Sequence, residues 1–201
     1  MRDRENLQEV CALAPDFVGF IFYPPSKRFV GEDFDPVICH SVPKNIQKVG
    51  VFVNASEEII LEKTEKYDLD FLQLHGEESP EFCANLKEKG LKLIKVFSIG
   101  EKFDFQILNP YLSCVEYFLF DTPTAAYGGS GKKFDWNLLK NYTFEKPFLL
   151  SGGIGEEDAE TIQKIDFPTL YGLDLNSRFE LSPAYKEVSK LGQFMKRFHK
   201  L

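Results

Sequence analysis

Seven short apolar runs, separated by longer segments, constrain the fold of this chain more than any other feature of its sequence. The runs are FVGFIF (17–22), VGVFV (49–53), FLQLH (71–75), KLIKVF (92–97), YFLFD (117–121), FLLSGGI (148–154) and LYGLDL (170–175). Continuous runs of this kind, rather than alternating ones, are typical of strands in a parallel sheet that is buried on both faces.

Amphipathic helices are predicted between these strands. Segments 56–68, 79–90 and 155–165 carry apolar residues at spacings of three and four, and Ser56 and Ser79 are suitable N-caps. A repeating strand-then-helix order favours a barrel, and no GxGxxG follows the first strand, as a dinucleotide-binding sheet would require. We therefore expect one domain over residues 1–201.

The predicted barrel has an unusual beginning. Segment 3–15 has the acidic start, apolar spacing and terminal proline of a helix, yet only Met1 and Arg2 precede it. A (β/α)8 barrel has eight strands, of which the first should come before this helix. The expected fold is therefore an α/β (β/α)8 TIM barrel, with the first β-strand missing from this sequence.

Composition and charge exclude several classes of function. A net charge of −7 without a basic tract argues against nucleic-acid binding, and no apolar stretch is long enough to span a membrane. The four cysteines are widely spaced and form no metal-ligand pattern, which indicates free thiols in a reducing compartment. We expect a cytoplasmic protein that needs no metal.

The active sites of such barrels lie at the carboxyl ends of the strands, where Asp121 is the most informative residue. Phe118 and Phe120 precede it, so its carboxylate should be partly desolvated and its pKa raised towards the range of a general acid. Two other interpretations stay open: Asp121 caps the following turn, or it pairs with Lys132.

Two glycine-rich loops follow the fifth and sixth runs. SGGIG (151–155) precedes a helix, so Gly152 and Gly153 could bring backbone N–H groups to a phosphate, or simply form a tight turn. GGSGKK (128–133) lacks the residues of a Walker A loop and is expected to form a lid, with Gly129 and Gly131 near the substrate.

Two further strand ends carry polar side chains. His75 follows the third run, where a hydrogen-bonded wall residue is a commoner role than a catalytic base. Arg28 lies in the loop after the first run, where it could bind a carboxylate in bidentate fashion or stay exposed to solvent.

Seven motifs, in this order, resemble the phosphoribosylanthranilate isomerase family along the whole chain. They are GFIFYPPSKRFV, VGVFVN, LQLHGEE, FLFDT, GGSGKKFDW, LSGGI and GLDLNSRFE. The resemblance implies a cofactor-free enzyme of tryptophan biosynthesis, either a monomer or a homodimer. Its reaction would be the Amadori rearrangement of N-(5-phosphoribosyl)anthranilate to 1-(2-carboxyphenylamino)-1-deoxyribulose 5-phosphate.

The resemblance also implies a role for each site residue. Asp121 would be the general acid that protonates the ribose ring oxygen, and Arg28 would hold the anthranilate carboxylate. The phosphate would lie against Gly152, Gly153 and the backbone around Asn176 and Ser177. The ribose hydroxyls would lie near Asp174.

One element of the family pattern is absent from the 201 residues. The family's general base is a cysteine in a K-[IV]-C-G-[ML] motif of the first strand, and none of Cys11, Cys39, Cys83 and Cys114 matches it. Two interpretations follow: a shortened form of an active isomerase, which we favour, or an inactive relative that binds a phosphorylated ligand without turnover.

Overall fold

A single parallel sheet forms the centre of the molecule in the computed structural model, which describes residues 1–123, 133–165 and 167–199. Its strands follow one another in chain order, and each pairs in parallel with the next. They are β1 (Phe17–Ile21), β2 (Gln47–Phe52), β3 (Phe71–Leu74), β4 (Leu93–Ser98), β5 (Tyr117–Asp121), β6 (Phe148–Leu150) and β7 (Leu170–Leu173). All seven predicted strands are confirmed.

Helices connect and flank these strands. They are α1 (Arg4–Cys11), α2 (Pro36–His40), α3 (Glu57–Tyr67), α4 (Pro80–Glu88), α5 (Ala159–Lys164) and α6 (Val188–His199). Within the described residues, 3-10 helices lie at Phe105–Tyr111, Trp136–Asn141, Glu156–Asp158 and Ser177–Phe179. A small antiparallel hairpin, β8 (Glu180–Ser182) with β9 (Tyr185–Lys186), precedes α6.

The helix starts predicted at Ser56 and Ser79 are correct, whereas the end of the first helix is not, and segment 155–165 opens as a 3-10 turn before α5 begins at Ala159. The Ser56 and Ser79 side chains accept hydrogen bonds from the third backbone N–H of α3 and α4. The first helix was expected to reach residue 15, but α1 ends at Cys11. Ala14 has a φ of 52°, in the left-handed region, so the chain has already turned towards β1.

Side chains pack on both faces of the sheet, as continuous apolar strands require. Its concave face carries a small core of Val49, Phe71, Ile94, Val96, Leu119 and Leu149. The much larger core lies on the outer face, between the sheet and the helices. At the amino ends of the strands, Phe17, Phe71, Tyr117 and Tyr171 contact one another with ring centroids 4.6–5.9 Å apart for successive pairs.

The strand order makes β1 and β7 the edges of the sheet, and all seven strands present their carboxyl ends at the same rim. This is the arrangement of a barrel of the predicted type without its first strand. Within the described residues, no helix is both long and apolar enough to cross a lipid bilayer.

Candidate active site

A cavity of about 380 Å³ runs through the interior of the curled sheet, from Phe17 and Tyr171 at the amino ends of the strands to the carboxyl ends. Eight of the ten predicted site residues line it: Arg28, His75, Asp121, Gly152, Gly153, Asp174, Asn176 and Ser177. The other two, Gly129 and Gly131, lie outside the described residues. Residues from five different strand ends therefore converge on one space.

Asp121, the last residue of β5, is 8% exposed. Its Oδ1 accepts a hydrogen bond of 2.7 Å from the backbone N–H of Thr122, and its Oδ2 lies 3.6 Å from Nε2 of His75. This contact is to the adjacent residue and not to an N–H two or three residues on, so the turn-capping interpretation stays a prediction. Lys132, the other predicted partner, lies outside the described residues. The other carboxylate oxygen of Asp121 faces the imidazole across a distance too long for a direct hydrogen bond.

Burial raises the pKa of Asp121 to about 6. The negative charge of Asp174 acts in the same direction, whereas hydrogen bonds from Thr122 and Ser151 partly oppose the rise. A carboxyl group with this pKa can be protonated near neutral pH, which is what a general acid requires. The predicted direction of the shift is confirmed.

The predicted cause of that shift was wrong in one respect. Phe118 and Phe120 belong to the outer core between sheet and helices, whereas Leu119 belongs to the core of the concave face. Because side chains alternate along a strand, Asp121 shares the face of Leu119 and Tyr117. The carboxylate is therefore desolvated by the barrel interior and not by the two phenylalanines.

His75 is a largely buried residue of the cavity wall, as the sequence favoured. Its Nδ1 lies 3.4 Å from Nε2 of Gln73. Burial lowers the pKa of His75 below its ordinary value, and the ammonium of Lys95 adds to that effect. A neutral imidazole does not stabilise the Asp121 carboxylate by charge, so the raised pKa of Asp121 persists beside it.

Asp174 follows β7 and faces the same space. Its Oδ2 accepts a 3.0 Å hydrogen bond from the Ser151 hydroxyl, which also interacts with Asp121. Ser151 therefore connects two carboxylates that lie at the ends of different strands. Two neighbouring carboxylates disfavour a second negative charge, which keeps one of them easier to protonate.

The turn after β6 requires glycine. Gly152 and Gly153 have φ values of 95° and 66°, in the left-handed region. A Cβ on Gly152 would lie 2.2 Å from the Thr122 hydroxyl oxygen and 2.9 Å from its backbone nitrogen. The turn therefore packs directly against the residue after Asp121. This geometry agrees with the interpretation of SGGIG as a tight turn. It is also compatible with a turn that binds phosphate.

Arg28 is not exposed, because its guanidinium binds the carboxylate of Glu180 in bidentate fashion. Nε lies 3.0 Å from Oε1 and Nη2 lies 2.6 Å from Oε2 of Glu180. This pair occupies one edge of the guanidinium, while Nη1 belongs to the other edge. The protein thus orients Arg28 by a carboxylate of its own.

Lys186 holds the loop that follows β7. Its Nζ donates to the backbone oxygen of Leu175 at 3.1 Å and to Oδ1 of Asn176 at 2.8 Å. The same ammonium lies 3.4 Å from Glu180. Asn176 and the adjacent Ser177, which begins a 3-10 helix, are therefore fixed at the cavity wall.

All four cysteines lie within the described residues, and none lines the cavity. Burial raises the pKa of the Cys39 and Cys83 thiols to about 12, and it also raises those of Cys11 and Cys114. A thiol must ionise to act as a base or nucleophile. That no cysteine of this sequence takes the catalytic position stays a prediction of the sequence.

Comparison with known proteins assigns the family. The family model for N-(5'-phosphoribosyl)anthranilate (PRA) isomerase matches residues 1–197. The chain belongs to the PRA isomerase family. An isomerase of this name from Parabacteroides distasonis is 50% identical over 198 residues, which cover 98% of this chain and 90% of the relative.

Solved structures of PRA isomerases share the fold. The crystal structure of the Thermotoga maritima protein is 33% identical, with a TM-score of 0.88, and the match covers all of this chain and 96% of that one. Another, in complex with reduced 1-(o-carboxyphenylamino)-1-deoxyribulose 5-phosphate, is 29% identical, with a TM-score of 0.84 and the same coverage. The α/β barrel prediction is confirmed.

Sequence analysis missed several side chains that build this PRA isomerase site. Ser151, Glu180 and Lys186 contact predicted site residues, yet none was assigned a role. Ser151 and Glu180 lie within two quoted motifs, LSGGI and GLDLNSRFE, and could have been considered for that reason. Lys186 lies outside the motifs, and nothing in its sequence context distinguishes it from a surface lysine.

The raised pKa of Asp121 predicts how stability depends on pH. The folded state holds this proton up to about pH 6, whereas the unfolded chain releases it near the ordinary value of 3.8. Stability contributed by this group is therefore lost as pH rises through that window. Asp121→Asn should increase the free energy of unfolding at pH 7.5 by about 2–3 kcal/mol, with the gain vanishing towards pH 3.5.

Urea denaturation between pH 3.5 and 8 would measure this difference. Asp135→Asn is a matched control, because Asp135 is exposed and the backbone N–H of Asn137 lowers its pKa. It should give no stabilisation at any pH. The assigned burial of the charge would be contradicted if Asp121→Asn did not increase the free energy of unfolding at pH 7.5, or if it increased it equally at all pH values.

Proposed function

We propose that this chain catalyses the Amadori rearrangement of N-(5-phosphoribosyl)anthranilate to 1-(2-carboxyphenylamino)-1-deoxyribulose 5-phosphate in tryptophan biosynthesis. Family membership supports the reaction. The observation that carries the assignment is the position of Asp121: a carboxyl group with a pKa of about 6 lies in the same cavity as an oriented arginine and a glycine turn.

The acid step belongs to Asp121. In the ring-closed substrate, the ribose ring oxygen must gain a proton as its bond to the anomeric carbon breaks. A protonated Asp121 can donate this proton, and the buried rim lowers the cost of holding the carboxyl group neutral beforehand. Opening the ring yields an imine, from which removal of the C2 proton leads to the product.

Three anchors would orient the substrate around that proton transfer. Arg28, held by Glu180, would bind the anthranilate carboxylate with its remaining N–H groups. Gly152 and Gly153 would present backbone N–H groups to the phosphate. Asp174 would accept hydrogen bonds from the ribose hydroxyls.

The loop held by Lys186 supplies the other wall of the phosphate pocket. Its ammonium fixes the backbone at Leu175 and Asn176, and Ser177 follows directly. Fixed N–H groups bind an anion without the entropic cost of ordering a mobile loop.

We assign the general base of this reaction to none of the described residues that line the cavity. The family resemblance places it on a cysteine of a K-[IV]-C-G-[ML] motif, which the 201 residues do not contain. The oligomeric state, monomer or homodimer, and the cytoplasmic location stay predictions of the sequence.

The role of Asp121 can be tested with an activity assay that follows the loss of the substrate's anthranilate-type fluorescence over time. The assay should compare the 201-residue chain with one in which Lys-Val-Cys-Gly and a preceding strand are placed before Met1. We expect turnover by the extended chain, and a fall in its kcat of about 10²–10⁴-fold with Asp121→Asn. Asp135→Asn, the exposed control, should leave kcat unchanged.

Two results of this assay would contradict the proposal. If Asp121→Asn keeps most of the kcat, the acid is another group. Comparable turnover by the chain with and without the added strand would exclude the cysteine as base, and His75 would be the next residue to replace.

The phosphate turn gives a second prediction. Gly152→Ala forces a Cβ against the Thr122 backbone at a positive φ, a conformation that costs about 1–3 kcal/mol for a non-glycine residue. The turn should shift, and KM should rise by about tenfold for each 1.4 kcal/mol of lost binding.

Gly155→Ala is the matched control, because the three atoms nearest to its Cβ would all belong to the carboxylate of Glu157, an exposed side chain that can move. Steady-state kinetics on both variants, with inhibition by inorganic phosphate as a binding measurement, separates the two positions. Equal KM and phosphate inhibition in the two variants would exclude the turn at Gly152 as part of the phosphate site.

A further inference from the structure

A buried ion pair lies directly behind the cavity wall. Lys95, in the middle of β4, places its Nζ 3.1 Å from Oε2 of Glu78, in the loop between β3 and α4. Each side chain is only 3% exposed. Taking two charges out of water costs free energy that their attraction repays only when additional hydrogen bonds satisfy the remaining donors and acceptors.

Those additional hydrogen bonds go to the peptide groups on either side of His75. The Lys95 ammonium donates to the backbone oxygens of Leu74 at 3.3 Å and Gly76 at 2.8 Å. The Glu78 carboxylate accepts from the backbone N–H of Gly76 at 3.0 Å. The pair thus holds the backbone immediately before and after the histidine.

A neighbouring strand end closes the same turn. The Glu78 carboxylate also accepts the backbone N–H of Asn54, at 2.9 Å, and the Asn54 side chain accepts the N–H of Glu77 at 2.7 Å. A Cβ on Gly76 would lie 2.3 Å from the Asn54 side-chain oxygen. The loop is therefore packed too closely for any residue but glycine at this position.

We propose that Lys95 and Glu78 are positioning residues, which hold the imidazole of His75 against the carboxyl group of Asp121. The backbone they fix places Nε2 of His75 3.6 Å from Oδ2 of Asp121. This inference rests on the proposed role of Asp121 as the acid. A displaced imidazole would admit water to the carboxyl group and remove part of the desolvation that keeps it easy to protonate.

Stability alone does not account for this pair. Replacing a buried ion pair by well-packed apolar side chains is often neutral or stabilising, so a core at this place needs no charges. An apolar pair, however, could not bind the oxygens of Leu74 and Gly76 or the N–H of Gly76. Besides single contacts to the Val96 oxygen and the Asn54 N–H, the hydrogen bonds of the pair go to the residues on either side of His75.

The direct test is the double variant Lys95→Met with Glu78→Gln, made in the extended chain that carries the added first strand. It removes both charges, keeps similar volume and leaves an amide oxygen to accept the N–H of Gly76. We expect a folded protein whose kcat falls at least about tenfold with KM within about threefold, because a misplacement of 1 Å is enough to impair catalysis.

The second measurement is the titration of the His75 imidazole by NMR, assigned with His75→Asn. The titratable groups that face this ring are Asp121, whose Oδ2 lies 3.6 Å from Nε2, and Asp174, Lys95 and Glu78, and burial has the largest effect on its pKa. Removal of Lys95 and of Glu78 shifts the pKa of His75 in opposite directions, so these two changes offset. Release of the ring to solvent should then raise its pKa towards the ordinary value.

Lys48→Met is the matched control. Lys48 is also a largely buried lysine on a strand, paired with Asp68, but it lies near the amino end of β2, away from the cavity. It should change kcat by less than about twofold and leave the titration of His75 unaltered. Near-ultraviolet circular dichroism and melting curves would establish that each variant is folded.

The outcomes separate this inference from the proposed function. A folded double variant with wild-type kcat and an unchanged His75 titration would overturn the positioning role, as would an equal loss in Lys48→Met. If the double variant does not fold, Glu78→Gln alone replaces it, and an unchanged kcat there overturns the proposal. If no form of the chain catalyses the rearrangement, the proposed function fails, while the NMR titration still tests whether the pair positions His75.

Discussion

The constraint on which the site depends is the parallel, sequential order of the strands. When every strand runs in the same direction, every strand delivers its last residue to the same rim, whatever the distance between those residues in the sequence. His75, Asp121 and Asp174 meet for this reason alone. The apolar residues of the strands thus position the polar ones. Burial on both faces fixes how each strand is aligned with its neighbours, and this alignment sets where the polar residue at the strand end lies.

Charge is distributed unevenly around this rim. Arg28 is paired with Glu180, and Lys95 with Glu78, so these buried charges are compensated by partners and by backbone groups. Asp121, in contrast, faces an imidazole whose own pKa is lowered by burial. Arg28 and Lys95 therefore stay in charged pairs, because each has a carboxylate partner in these low-dielectric surroundings. Among the described residues, Asp121 has no such cationic partner, and it is easy to protonate in the same surroundings.

The order of the strands and the polar residues at their carboxyl ends could be predicted from the sequence, because continuous apolar runs mark buried strands and the end of each run marks the rim. Which face a strand residue occupies could not be predicted. In YFLFD every residue is apolar until the aspartate, so nothing distinguishes Leu119, on the inner face, from Phe118 and Phe120 on the outer face.

Long-range pairing was equally hidden from the sequence. Arg28 and Glu180 are 152 positions apart, and only the fold brings them together. Lys95 is a charged residue inside an apolar run, a signal that could have been pursued, whereas HGEES offers two glutamates and no means of telling which one is buried. Which glutamate is buried depends on the packing of the folded chain, and this packing cannot be read from a single sequence.

The central claim is that the barrel rim keeps Asp121 easy to protonate, and the most direct measurement is a ¹³C NMR titration of its carboxyl group. The signal can be assigned by its absence in Asp121→Asn. The account predicts a midpoint near the value of about 6 that burial gives this residue. A midpoint at or below 3.8, the ordinary value for aspartate, would contradict it, because Asp121 would then be an ordinary ionised carboxylate at every pH at which the chain could act as an isomerase.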